Sequence, residues 1–115
     1  NRKSRIVGKE KTPIYKLDTI IPEYIPEAEA RILLKIDTQG YEKEVLDGAP
    51  DTLRRAQGLK IEIPLYAIYE HTQFAFYDIL KITQELHLQP YSFHVEGVDL
   101  NTGRVNTIDG LFFKE

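Results

Sequence analysis

The chain of 115 residues contains no cysteine, which excludes a disulfide framework and a thiolate metal site together. It lacks an excess of either charge: Lys and Arg number 15, Asp and Glu 18, for a net charge of −3. With a pI near 5.6 there is no electrostatic footprint for a nucleic-acid partner. The one basic run, Arg2-Lys3-Arg5, reads as a solvated terminus rather than a phosphate-binding arm. No apolar stretch approaches the roughly 20 residues that span a bilayer, and no signal-peptide pattern opens the chain. A cytoplasmic protein without a membrane partner is therefore expected. The three histidines, His71, His87 and His94, lack His-x-x-x-His spacing, so no metal site is expected either. Internal repeats, low-complexity tracts and linker-like shifts of composition are absent as well.

What is present is ordinary globular composition, 42% hydrophobic and 29% charged, in a length that allows one domain at most. The chain begins at Asn1 and not at a methionine, as expected of a piece of something longer.

Residues 14–18 read as a short strand leading into a turn of helix, which Pro22 and Pro26 then break. Arg31 to Ile36 is a near-continuous apolar run, the pattern of a parallel strand covered on both faces. Gly40 follows closely, and helix formers from Tyr41 to Leu46 end at Gly48. Pro50 opens a second short helix that runs to Gly58. Leu59 to Leu65 alternates as a strand, with Pro64 marking where regular pairing stops. Ala75, Ile79, Ile82 and Leu86 form one stripe at helical period, predicting a helix from about Gln73 to Leu88 with Thr72 as N-cap and Pro90 as its stop. Tyr91–Val95 and Ile108–Phe113 read as two strands. The turn formers from Asp99 to Arg104 between them predict an antiparallel pair. Strand, helix, strand, helix and a terminal hairpin make a mixed α/β sheet with an antiparallel edge.

In such sheets ligands bind beyond the C-terminal ends of the parallel strands. That singles out Asp37, Thr38, Gln39, Gly40 and Glu42 after the first strand, and Tyr66, Tyr69, Glu70 and His71 after the second. Asp37 reads either as a cap for the following helix or as a general base or Mg²⁺ ligand. Glu42, in the first helical turn, either favours the positive end of the helix dipole or faces substrate. Lys35 and Glu62 would lie on adjacent strands, where an ion pair competes with a role for Glu62 in orienting a ligand. His71 is a candidate base by its titration range, and Tyr66 and Tyr69 are candidate lining of an acceptor site. His87, at a helix end, and His94, within a strand, read as structural.

The run from Leu34 to Ala49, L-K-I-D-T-Q-G-Y-E-K-E-V-L-D-G-A, resembles the signature of FkbM-family methyltransferases. That signature is a strand ending K-I-D, then G-x-E, then a helix ending V-L-x-G-A; Gln39 stands where Glu is also common. Lys16-Leu17-Asp18-Thr19-Ile20-Ile21 is similar to the family's T-L-D-x-L-x element, with Lys16 in place of Thr. Leu59-Lys60-Ile61-Glu62-Ile63 resembles its Glu-bearing strand, and Asp109-Gly110-Leu111-Phe112-Phe113 its closing D-x-L-F strand. The resemblance implies a Rossmann-like class I methyltransferase fold, of which residues 1–115 would be the C-terminal portion holding strands four to seven and the terminal hairpin. It implies S-adenosylmethionine as cofactor and a small-molecule acceptor, the hydroxyl of a sugar or natural product. Asp37 would then take the acceptor's proton, with His71 as a second candidate. Gln39, Gly40, Glu42, Glu62, Tyr66 and Tyr69 would contact the acceptor.

The fold's cofactor is cradled by a Gly-rich turn, yet the seven glycines here contain no Gly-x-Gly pair. The cofactor-binding half is therefore expected to be missing, and binding of S-adenosylmethionine by this chain alone to be poor. A competing expectation is an inactive remnant that serves as an interaction module, since a half-sheet leaves an edge open to oligomerisation. A metal-dependent hydrolase centred on Asp37 ranks last, for want of further carboxylates at strand ends.

Overall fold

A computed structural model describes residues 5–68 and 73–115. The elements are α1 (Leu17–Tyr24), β1 (Ile32–Ile36), α2 (Glu42–Asp47), α3 (Pro50–Arg55), β2 (Ala56–Pro64), α4 (Phe76–Glu85), β3 (Leu88–Val98) and β4 (Val105–Lys114). The four strands form one sheet in the order β1-β2-β4-β3. β1 and β2 are parallel, and β4 runs antiparallel to both β2 and β3. β3 therefore runs in the direction of β1 and β2, with the return strand inserted between. The turn joining β3 to β4 is set locally: Asp99 Oδ1 accepts from the Asn101 amide at 2.8 Å, and the Gly103 amide, at φ +73, donates to Asp99 O.

Alternation along β2 sends Leu59, Ile61 and Ile63 to one face, where they meet Ile36, Ile108 and Phe112. Leu46 of α2, Leu53 of α3 and Ile79 of α4 close over them, so a single helical layer covers that side. The other face carries Leu33, Lys35, Lys60 and Glu62 and contributes nothing to this core cluster.

β1 departs from expectation. Its apolar run predicts burial on both faces, but among the described residues it is an edge strand, and Leu33 is 56% exposed. The expected Lys35–Glu62 ion pair is not formed among the described residues. Register puts Lys35 opposite Lys60, and Lys35 is exposed. β2 begins at Ala56, so Gly58 does not end a helix. It lies in the strand beneath the Phe113 ring, where a Cβ would stand 2.6 Å from the ring carbons.

α4 is shorter than its stripe. It starts where Asp78 Oδ2 accepts from the Ala75 amide at 3.0 Å, and it ends at Glu85, with Leu86 as C-cap and His87 at φ +56. Pro90 is no helix stop but a β3 residue, acceptable because β3 is the outer strand. The predicted N-cap, Thr72, lies outside the described residues. No strand forms at residues 14–18, and Pro22 sits within α1 rather than breaking it. The proline has no amide to donate to the carbonyl of Asp18, four residues back, so α1 gives up one internal hydrogen bond there and continues.

Candidate functional site

The C-terminal end of β1 delivers Asp37, Thr38 and Gln39, all exposed, onto a turn of unusual backbone. Gln39 has φ +52 and Gly40 φ +113. The left-handed region costs glycine little and other residues about 1–2 kcal/mol, so something must hold Gln39 there. Glu42 does. Only 2% exposed, it accepts the Thr38 amide on Oε1 at 3.1 Å and the Gly40 amide on Oε2 at 2.9 Å. A carboxylate on the first residue of α2 thus folds back over the turn that precedes it, leaving Asp37 at a defined strand end.

Beside this turn a cleft of about 750 Å³ runs along the outer edge of β1. Leu34, Asp37, Thr38 and Val45 line it together with Tyr15, Lys16 and Leu17. Asp37 and Thr38 face the cleft, whereas Glu42 is turned into the turn, and Gln39 and Gly40 are not among its lining residues.

At the end of β2, Tyr66 is fixed from the hairpin. Its hydroxyl donates to Asn106 Oδ1 at 2.6 Å, and the Arg104 guanidinium lies 3.7 Å above its ring. The Leu65 amide adds a bond to Asn106 O at 2.9 Å. Tyr69, Glu70 and His71 lie outside the described residues. Glu62 is partly buried and pairs in register with Asp109, which in turn stands opposite His94. Sequence reading did not connect these three, because cross-strand register is not visible in local pattern. His94 is 80% exposed in its side chain and lies 3.6 Å from Glu96. Asp37 and Tyr66 occupy the ends of adjacent strands, so the structure places these two candidates on one end of the sheet.

The Leu17-Asp18 element has a structural explanation. Asp18 reaches α3 and accepts from the Asp51 and Thr52 amides and the Thr52 hydroxyl at 2.8–2.9 Å. Partial burial pushes its carboxyl up, but the amide bonds outweigh this and hold it below the ordinary carboxylate value. Among the described residues no group of three or more His, Asp or Glu could hold a metal ion. No helix among them is long and apolar enough to cross a membrane.

A family model described as the methyltransferase FkbM domain matches residues 1–94. The chain belongs to the FkbM methyltransferase family. No curated protein and no solved structure matches it. The FkbM match takes in Asp18, the Asp37–Glu42 turn, Glu62 and Tyr66, and it ends within β3. The Asp109–Phe113 segment, similar to the family's closing strand, falls outside the match but forms β4 at the centre of the sheet.

Proposed function

We propose that this chain is the acceptor-side part of a Rossmann-like class I methyltransferase domain that methylates a hydroxyl of a sugar or natural product from S-adenosylmethionine. The observation that carries the reading is Asp37, exposed at the C-terminal end of a parallel strand and on the rim of the cleft. The sheet supports it. A doubly wound sheet has the order 3-2-1-4-5-6, and β1, β2 and β3, which share one direction, follow as its last three strands once β4 is allowed to return between the final two.

Methyl transfer to a hydroxyl needs little covalent help from protein; it needs the oxygen aligned and its proton removed. Asp37 accepts that proton. Glu42 fixes the turn from which Asp37 projects, and Thr38, Gln39 and Tyr66 supply polar contacts around the acceptor. Glu62, partly buried one strand away, orients it. Tyr69 and His71 stay candidates from the sequence alone.

Among the described residues no cradle for S-adenosylmethionine is formed. The two amides that converge at the strand end, those of Thr38 and Gly40, already donate to Glu42, and no Gly-x-Gly turn exists in the chain. The cradle is assigned to a cofactor-binding half outside these residues.

Titration calorimetry of the 115-residue chain with S-adenosylmethionine is expected to show no micromolar binding. Binding of that strength would overturn the assignment of the cradle. In a complete domain, Asp37→Asn is expected to lower kcat by roughly 10²–10⁴-fold, the range for a lost general base. Unchanged turnover would remove Asp37 from the chemistry.

A further inference from the structure

The turn that joins β3 to β4 stands at the same end of the sheet as Asp37, because β4 runs antiparallel to β2 and starts where β2 stops. Arg104, at the close of that turn, is exposed, and an exposed arginine ordinarily samples many rotamers. This one is held. Its guanidinium lies 3.7 Å above the Tyr66 ring, whose hydroxyl is tied to Asn106 Oδ1 at 2.6 Å. The Arg104 amide donates to Thr102 Oγ1, and its carbonyl accepts from the Asp99 amide, so backbone and side chain are both fixed.

Stacking uses the face of the guanidinium and leaves the N–H donors in its plane unspent. Among the described residues no carboxylate pairs with it. Asp99, across the turn, spends Oδ1 on the amides of Asn101 and Thr102. A fork of donors held in this way matches a carboxylate or a phosphate better than a neutral group. The chain as a whole carries a charge of −3, so its general field does not draw an anion, and a fixed local cation has to do so.

We propose that Arg104 determines acceptor specificity by binding an oxyanion, carboxylate or phosphate, on the molecule whose hydroxyl meets Asp37. The inference rests on the reading of that strand end as an acceptor site and names the acceptor's class, an acidic or phosphorylated sugar. β4 lies two strands from β1, about 10 Å across the sheet, so the anion and the reacting hydroxyl belong to opposite ends of the acceptor. That separation also keeps the anion away from the Asp37 carboxylate. Tyr66 serves both parts, its ring as the platform for Arg104 and its hydroxyl oxygen as a hydrogen-bond acceptor toward the sugar. Strands that continue the sheet beyond β1 add on the side away from Arg104. Arg104 lies beyond residues 1–94 of the family match, so the family assignment does not already imply its role.

Binding to the 115-residue chain of glucuronate, and of glucose phosphorylated at the corresponding carbon, tests it, with glucose as the neutral control. The measurement is a nuclear magnetic resonance titration without S-adenosylmethionine. Shifts are expected at the Arg104 side chain, with a dissociation constant about tenfold below that of glucose for at least one charged sugar. The tighter of the two tells carboxylate from phosphate. Arg104→Gln is expected to abolish the preference, and Arg104→Lys, which keeps the charge without the fork, to retain part of it; circular dichroism checks the fold of both. Glucose binding as tightly as both charged sugars overturns the proposal, as does a preference that survives Arg104→Gln or the failure of both charged sugars to bind. The readout is separate from turnover. Unchanged turnover in Asp37→Asn strikes the base and leaves the preference standing, whereas loss of the preference strikes Arg104 and leaves the base.

Discussion

Two carboxylates that the family pattern marks as a pair of motif residues do different work from the one exposed at the strand end. Glu42 neutralises two converging amides and stabilises a left-handed Gln39. Its replacement by Gln turns an NH₂ group toward one of those amides, leaving a buried donor unpaired at a cost of about 1–3 kcal/mol. Faster hydrogen exchange at Thr38 and Gly40, with a matching loss in urea midpoint, is the expected outcome. Asp18 acts over a longer distance, capping α3 from 33 residues upstream. Its folded pKa lies below the ordinary 3.8, so its contribution is present above that value and is lost as pH falls through the folded one. Asp18→Ala is expected to cost about 1–2 kcal/mol at neutral pH, as for a lost N-cap. The gap between variant and parent should close on acidification, measured by urea unfolding at a series of pH values.

α3 shows why elements of this size depend on their surroundings. Six residues are too few for an isolated helix in water. Asp18 holds its first amides, and Lys114, from the last strand, donates to the carbonyl of Leu53 at 3.3 Å and to that of Arg54 at its other end. Arg55 in turn donates to the carbonyls of Ile25 and Glu27 beyond α1, at 2.9 and 3.0 Å, so the two helices fix each other. Glycines within the sheet separate in the same physical terms. At Gly110 a Cβ would stand 2.6 Å from Ile63 Cδ1 and 2.7 Å from the Phe112 ring, both fully buried. At Gly58 it would meet Phe113 and Leu33 on the open face, where side chains can turn aside. Gly110→Ala is therefore expected to cost about 1–3 kcal/mol as overpacking, and Gly58→Ala less; thermal unfolding of the two variants checks the order. Such relations also mark the limit of reading by pattern. β1, the hairpin and the Asp37 strand end were legible because apolar period, turn formers and Gly40 are local signals. The start of β2 was not, since Ala56 joins the strand through pairing with Ile32. Nor was the inward turn of Glu42, which needs the backbone of Gln39, or the capping role of Asp18, which needs α3 folded beside it.

The molecule as a whole is broad and thin, 48 × 38 × 22 Å, with a radius of gyration of 15.9 Å where a compact chain of this length has about 13 Å. A sheet with its helical layer on one side accounts for this shape, as does the extended segment before α1. Stability in such a molecule is tied to what covers it. Any species that binds the folded chain and not the unfolded one raises its apparent stability by mass action. The sheet order proposed above puts the strands of the cofactor-binding half against the outer edge of β1, where Leu33 is 56% exposed. A longer chain that carries those strands is therefore expected to unfold at a higher temperature than residues 1–115 alone, measured by calorimetry at equal concentration. Equal midpoints would mean that the added strands do not cover this edge.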